Sequence, residues 1–207
     1  MKFRGWPVWV VLLATGLMVG CSSSGLPGGE KGYESFQKTK MGVMTAQSQV
    51  DATIQALQQF KFTGDLNQQF QAYKSAVAAL QKQNDSAKWR AEKMQENFDA
   101  YVTNWQREME TVNDPAIKST MESRKAAVQS NVEQLKSSAQ AARDAFAPFL
   151  RDNQDILKAL SVNLSRATVD GLQPSMQQAI ADGQTLKTKL GAIQTELDNI
   201  ERGVPAK

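Results

Sequence analysis

Histidine is absent from the 207 residues, and cysteine occurs once, at Cys21. Without histidine the chain cannot build a Ser-His-Asp triad, a histidine general base or the histidine-containing zinc and di-iron sites. A single cysteine excludes an internal disulfide and a site made of several thiolates. We therefore expect no metal, no cofactor and no catalytic residue, although catalysis by Asp, Glu, Lys or Ser alone stays open.

Long apolar runs are also missing, apart from one near the start of the chain. Lys2 and Arg4 precede an uncharged, mostly apolar run of 14 residues, Pro7 to Gly20. A membrane-spanning helix needs roughly 20 apolar residues, whereas this length is typical of the apolar region of a signal peptide. Residues 1–20 are therefore predicted to be a signal peptide.

The end of this run resembles the signal of bacterial lipoproteins, with Met18 where leucine is usual, then Val19, Gly20 and Cys21. The resemblance implies cleavage before Cys21 and lipidation of Cys21, because two or more acyl chains anchor a protein stably. The alternatives are an ordinary secreted protein with a chance cysteine and an uncleaved N-terminal anchor. In a two-membrane bacterium, Ser22 favours the outer membrane, facing the periplasm, over the inner membrane.

Excess charge is small. Removing the leader takes away Lys2 and Arg4 and lowers the formal net charge from +3 to +1. Nucleic-acid binding needs a concentrated basic patch, so we expect no nucleic-acid partner.

Glycine and proline are concentrated in residues 21–32, which are predicted to be a flexible tether. From 33 to 202 apolar residues recur every three or four positions, which is the period of helices, and 203–207 is predicted to be a tail. The chain is therefore predicted to be all-α, with one helical bundle domain.

Breaks at "FTGD" (62–65), "NDP" (113–115) and "NLS" (163–165) divide the domain into four long helices. The first carries a stripe of Tyr33, Phe36, Val43, Val50, Ile54 and Leu57. The second, from Asp65 to Val112, has a spacing near 3.5 residues, as in coiled coils. Its inward positions include the polar Asn84, together with Ala87 and Ala91, and Asp65 is predicted to cap its start.

The third helix contains Pro148, which we interpret as a bend in one helix, with two helices meeting at "FAPF" as the alternative. In the last helix, Gly171 and Pro174 disturb the start. Short links favour antiparallel neighbours. Because helices 2 and 3 are the longest, residues near 98–130 are predicted to project as a two-helix stalk of about 20 Å, tipped by Asn113–Pro115.

Several polar and aromatic residues are candidates for function. Glu92 with Glu96, and Asp152 with Asp155, are pairs that could perform acid–base chemistry, but beside lysines on a helix such carboxylates are more often solvated ion-pair partners. Trp105 falls on the apolar stripe and is expected in the core, together with Ile117 of the third helix. Trp89, in contrast, lies off this stripe.

Trp89, beside Arg90, is a tentative interaction residue, because aromatic and arginine side chains are favoured at interfaces. Packing on the first helix is the alternative.

The mature chain resembles a family of bacterial envelope lipoproteins known only as a domain of unknown function. The resemblance covers about residues 33–200 and lies in "YESFQKTKMGV", in "FTGDLNQQFQAY" and in "FAPFLRDNQDILKALSVNLSRATVDGLQ". It implies an all-helical, periplasmic protein and assigns no activity or functional residue.

These features favour a structural or protein-interaction module of the cell envelope, an adaptor or spacer, over an enzyme. Its expected partners are the membrane, through acyl chains on Cys21, and an envelope protein or a second copy of the chain. A holdase-like or lipid-binding module is the alternative, since methionine-rich and phenylalanine-rich seams can adapt to apolar ligands.

Overall fold

The computed structural model describes residues 29–60 and 64–203, and within these ranges every regular element is a helix. The elements are α1 (Gly29–Gln59), α2 (Leu66–Thr111), α3 (Pro115–Val162), α4 (Arg166–Gly171) and α5 (Gln173–Gly203). The predicted all-α class is confirmed.

The starts of α2 and α3 are fixed by aspartate caps. Asp65 accepts hydrogen bonds from the backbone N–H groups of Asn67 (2.9 Å) and Gln68 (3.3 Å). Asp114 does the same for Ala116 (2.8 Å) and Ile117 (3.2 Å). Each cap satisfies two N–H groups that have no partner within the helix, which confirms the predicted cap at Asp65.

Each of the four long helices packs against two others: α1 against α2 and α5, and α3 against α2 and α5. Helices α1 and α5 run antiparallel, as two ion pairs between them show. Lys187 bonds Asp51 at 2.5 Å, and Lys40 bonds Asp198 at 2.8 Å.

The interior is divided into two clusters of buried apolar side chains. The first combines residues of all four long helices, namely Phe36, Val43, Val50, Ile54, Leu80, Leu135, Ala142, Phe149, Leu186, Leu190, Ile193 and Leu197. The second surrounds the links between helices and contains Ala56, Leu57, Phe60, Tyr73, Val77, Ile156, Leu160, Val169, Met176 and Ala179. Five of the six residues of the stripe predicted for the first helix are buried, namely Phe36, Val43, Val50, Ile54 and Leu57, which confirms the prediction for them. The side chain of Tyr33, the sixth, lies outside the described part of the structure.

Two links lie side by side at one end of the molecule. The Arg166 guanidinium, at the start of α4, donates to the backbone carbonyl of Phe60 (3.2 Å) and to that of Gly64 (3.5 Å). The connection after α3 therefore holds the end of α1 and the turn into α2.

Pro148 lies inside a continuous α3, so the interpretation as one helix is confirmed and the two-helix alternative is wrong. The predicted last helix, by contrast, is two helices. Ser165 caps α4 by accepting from Thr168 N–H at 3.2 Å, and Leu172 separates α4 from α5. Helix α1 begins at Gly29, four residues before the predicted start, and α5 continues to Gly203.

Three inward positions predicted for α2 are wrong: Asn84, Ala87 and Ala91 are exposed. Ile117, expected in the core, is 51% exposed. From residue 95 to residue 134, Met109 is the only side chain among the described ones that is buried. A helical period predicts which residues share one face of a helix, but it does not predict which neighbouring helix packs on that face. Between residues 95 and 134 the neighbouring helices cover that face only in part.

Candidate interaction surface

Helices α1 and α2 approach closely at Gly42. A Cβ atom on Gly42 would lie 2.5 Å from Nε of Arg90, so any side chain at position 42 would force the guanidinium to shift. Gln83, two turns before Arg90, donates from Nε2 to the Gly42 carbonyl at 2.9 Å. Polar side chains therefore line this part of the α1–α2 contact.

Exposed apolar side chains flank the Gly42–Arg90 contact. Trp89 is 57% exposed and Met41 is 57% exposed, and each is the chain neighbour of one of the contacting residues. Met44, at 56% exposure, lies one helical turn beyond Met41. We call Met41, Met44, Trp89 and Arg90 the Trp89 surface. It holds three of the five large apolar side chains that are exposed among the described residues.

Arg90 is half-buried, and its Nη2 makes no hydrogen bond within the described residues. A buried donor without a partner costs about 1–3 kcal/mol. Tryptophan, methionine and arginine are the residue types that interfaces favour.

A second polar cluster lies where the start of α1 meets the end of α5. The Lys40 ammonium bonds Asp198 (2.8 Å) and Glu201 (2.5 Å), and Gln37 donates to Glu201 at 3.0 Å. The hydrogen bonds that Lys40 donates to Asp198 and then to Glu201 raise the pKa of Lys40. The same Lys40 bond, followed by that of Gln37, lowers the pKa of Glu201. Each charged group of this cluster is bonded to another member of the cluster, so the cluster links α1 to α5.

The two predicted carboxylate pairs have different surroundings in the structure. Glu92 and Glu96 are exposed, and Glu96 forms an ion pair with Lys93 at 2.7 Å. This is the solvated arrangement expected of helix-surface charges.

Asp152 and Asp155, in contrast, line a surface cavity of about 250 Å³ together with residues of the α4–α5 region. The other lining residues are Ile156, Leu172, Ser175 and Gln178. Asp152 is also bonded by the Arg151 guanidinium at 3.1 Å. No group of three or more His, Cys, Asp or Glu side chains is placed for a metal ion within the described part of the chain.

Trp105 is not part of either buried cluster. It packs edge-on against Tyr101, with ring centroids 5.4 Å apart, and is only partly buried. Partial burial raises the pKa of Tyr101, opposed by the nearby charge of Arg124 on α3. Trp105 is therefore only partly buried and outside both clusters, so the expectation of a core tryptophan is wrong.

The sequence pattern indicated Trp89, whose interaction role stays a prediction, and did not indicate its setting beside Gly42. The signal was Gly42, because a glycine inside a helical pattern often marks a close approach.

Cys21 lies outside the described residues, so its predicted lipidation stays a prediction. None of the described helices has the length and apolar character needed to cross a membrane.

The described residues define an all-helical bundle protein with an exposed tryptophan beside a half-buried arginine. The model of the family described as "Protein of unknown function (DUF2959)" matches residues 30–201, and the chain belongs to this family. Neither a curated protein nor a solved structure matches the chain significantly. The predicted membership in a family of unknown function is confirmed, while its envelope location stays a prediction.

Proposed function

We propose that the protein is a lipid-anchored spacer or adaptor of the cell envelope that holds a partner protein through the Trp89 surface. The observation that carries the proposal is the exposure of Trp89 beside an arginine whose Nη2 has no partner within the described residues. This combination fits a site that is completed by a second molecule, because it offers exposed apolar area next to an arginine with one nitrogen that has no partner within the described residues.

The proposed shape is an elongated antiparallel bundle of the four long helices with coiled-coil character, from which α2 and α3 project as a two-helix stalk. The antiparallel ion pairs of α1 with α5 support the bundle. The sparse burial between residues 95 and 134 supports the stalk. Such a shape suits a spacer, because helices of this length span about 70 Å.

The proposed address is the outer membrane, facing the periplasm, through acyl chains on Cys21. Ser22 and the apolar leader support this address. Membrane fractionation and intact-mass measurement of the mature protein test it. We expect a lipid-modified mass and a membrane-bound protein, and we expect the Cys21→Ser variant to lose both. An unmodified mass for the native chain contradicts the proposed address.

The adaptor role is tested by quantitative pull-down of the lipidated protein after crosslinking in intact cells. Trp89→Ala should lower recovery of the crosslinked partner at least tenfold, the order expected for an aromatic hot spot that contributes about 2 kcal/mol. Val162→Ala is the matched control, because Val162 is an exposed apolar residue, at 83% exposure, near the other end of the molecule. Equal recovery from both variants contradicts the role.

Binding of a lipid or another apolar ligand receives no support from the cavity beside Asp152 and Asp155. Its lining includes Ile156 and Leu172, but Asp152 and Asp155 also line it, and covering these two carboxylates with an apolar ligand carries a desolvation cost.

A further inference from the structure

Helix α2 extends past the end of the molecule at which α1 begins. Gly42 contacts Arg90 and accepts a hydrogen bond from Gln83, so its level on α2 lies between these two residues. From Gly42 back to Gly29, α1 rises about 20 Å, whereas the rise of α2 to Thr111 is about 32 Å from Arg90 and about 42 Å from Gln83. The end of α2 and the start of α3 therefore protrude about 12–22 Å beyond the first residue of α1.

Helix α5 ends before that level is reached. The bond between Lys40 and Asp198 sets its height against α1. From Asp198 to Gly203 the helix rises about 8 Å, less than the roughly 17 Å from Lys40 to Gly29. Helix α5 therefore does not cover the protruding residues at this end of the molecule. We call residues 107–118 the α2–α3 tip.

The same end receives the chain from Cys21. Eight residues, from Cys21 to Gly28, precede α1, and eight residues reach at most about 28 Å when fully extended. A Gly/Ser-rich chain of this length has a root-mean-square span of only about 16 Å. That span is close to the protrusion of the α2–α3 tip beyond Gly29.

We propose that the α2–α3 tip rests on the lipid surface in which Cys21 is anchored, so that the stalk points toward the membrane rather than away from it. This orientation rests on the proposed lipid anchor. Ile117, 51% exposed at the start of α3, provides the apolar contact with the surface. The opposite end, with Val162 and the links held by Arg166, faces away from the membrane.

The contact does not depend on charge attraction. The tip carries two cations, Arg107 and Lys118, and three anions, Glu108, Glu110 and Asp114. This near balance gives anionic lipids little to attract. The short connection to Cys21 holds the tip in place instead, as a linked site is held by its effective concentration.

Fluorescence quenching by lipid in reconstituted vesicles tests the orientation. Full-length lipidated protein carries Ile117→Cys or Val162→Cys, and because an acylated Cys21 has no free thiol, each variant offers one labelling position. The labelled proteins are placed in phosphatidylethanolamine and phosphatidylglycerol vesicles that contain a headgroup spin-labelled lipid. The expected result is loss of fluorescence at position 117 and none at position 162.

Replacing the anionic lipid by phosphatidylcholine should leave the loss at position 117 unchanged. Adding a long Gly/Ser segment after Gly28 should diminish it, because the tether would then exceed the protrusion. Equal loss at both positions, loss at 162 alone, or a label at 117 that is shielded without being quenched by lipid, as in contact with a second copy, overturns the orientation.

Flotation of the same vesicles separates this proposal from the anchor. Native protein that floats while Cys21→Ser does not shows the anchor, so failed quenching then refutes the orientation alone. Native protein that does not float refutes the anchor and the orientation together.

Discussion

The hydroxyl of Tyr73 on α2 donates to Asn153 on α3, where the backbone carbonyl and the side-chain oxygen each lie 2.9 Å away. Both residues are fully buried. Asn153 in turn donates from Nδ2 to the Phe149 carbonyl at 2.7 Å. The ring of Tyr73 packs edge-on against Phe60, with centroids 5.8 Å apart. This satisfied polar link fixes α2 against α3 inside an otherwise apolar cluster.

Removing the Tyr73 hydroxyl is expected to destabilise the fold. Tyr73→Phe should lower the free energy of unfolding by about 1–2 kcal/mol, because Asn153 Oδ1 would remain buried without a donor. Urea unfolding followed by circular dichroism measures the change. Tyr101→Phe is the control, since Tyr101 is only partly buried, and it should change stability by less than about 0.5 kcal/mol. Equal effects of the two substitutions would contradict the role of the buried link.

Burial also predicts a loss of stability at alkaline pH. Desolvation raises the pKa of Tyr73 above its ordinary value. Up to about pH 10, the unfolded tyrosine pKa, the group is neutral in both states and stability is unaffected. Above that pH the unfolded state alone ionises, so the free energy of unfolding falls by up to about 1.4 kcal/mol per pH unit. The fall should be shallower in Tyr73→Phe, and parallel pH profiles of the two proteins would refute this assignment.

Arg90 should contribute to binding and not to stability. Arg90→Met keeps an unbranched apolar side chain and removes a guanidinium whose Nη2 is unsatisfied within the described structure. The free energy of unfolding should stay unchanged or rise by up to about 1 kcal/mol, while recovery of the crosslinked partner falls. Chemical denaturation and the pull-down described above measure the two effects. A stability loss above about 1 kcal/mol would show that Arg90 supports the fold.

Two glycines on α5 give opposite predictions. A Cβ on Gly183 would lie 2.8 Å from both Ile54 Cδ1 and Phe149 Cε2. Gly183→Ala should therefore cost about 1 kcal/mol net, overpacking outweighing the gain in helix propensity. Gly191 has only Gln47 Nε2 near the same position, at 4.0 Å, so Gly191→Ala should stabilise by about 0.5–1 kcal/mol. Thermal unfolding of the two variants measures both, and changes of the same sign would refute the packing at Gly183.

Arg166 is predicted to couple the two links. Arg166→Met removes its bonds to the carbonyls of Phe60 and Gly64 and should cost about 1.5–3 kcal/mol, as for hydrogen bonds from charged groups. Arg143→Met, on the exposed surface of α3, is the control and should have little effect. Hydrogen exchange should show faster opening at the end of α1 only in the Arg166 variant.

The sequence pattern predicted correctly those features that depend on residues close together in the chain. The cap at Asp65 and the buried stripe of α1 depend on residues within one or two turns of each other, and both are confirmed. The sequence pattern failed where a distant helix decides the outcome. Gln83 and Arg90 face α1, while Asn84, the predicted inward residue, is exposed.

The sequence pattern also did not predict polar contacts between residues that are far apart in the chain. The Tyr73–Asn153 bond joins residues 80 positions apart, and no spacing rule indicates such a pair. Arg166 gave no signal, because one arginine at a helix start resembles any exposed cation. For the candidate surface, the sequence indicated Trp89, but the close approach at Gly42 and the partly buried Arg90 required the helices to be placed side by side.

Photo-crosslinking from position 89 tests the adaptor function most directly. A photoreactive amino acid replaces Trp89 in the lipidated protein and is activated in intact cells, with the same substitution at Val162 as the control. The account predicts one discrete protein adduct from position 89, absent from position 162 and lost when Cys21→Ser releases the protein from the membrane. No adduct from position 89, or the same adducts from both positions, would contradict it.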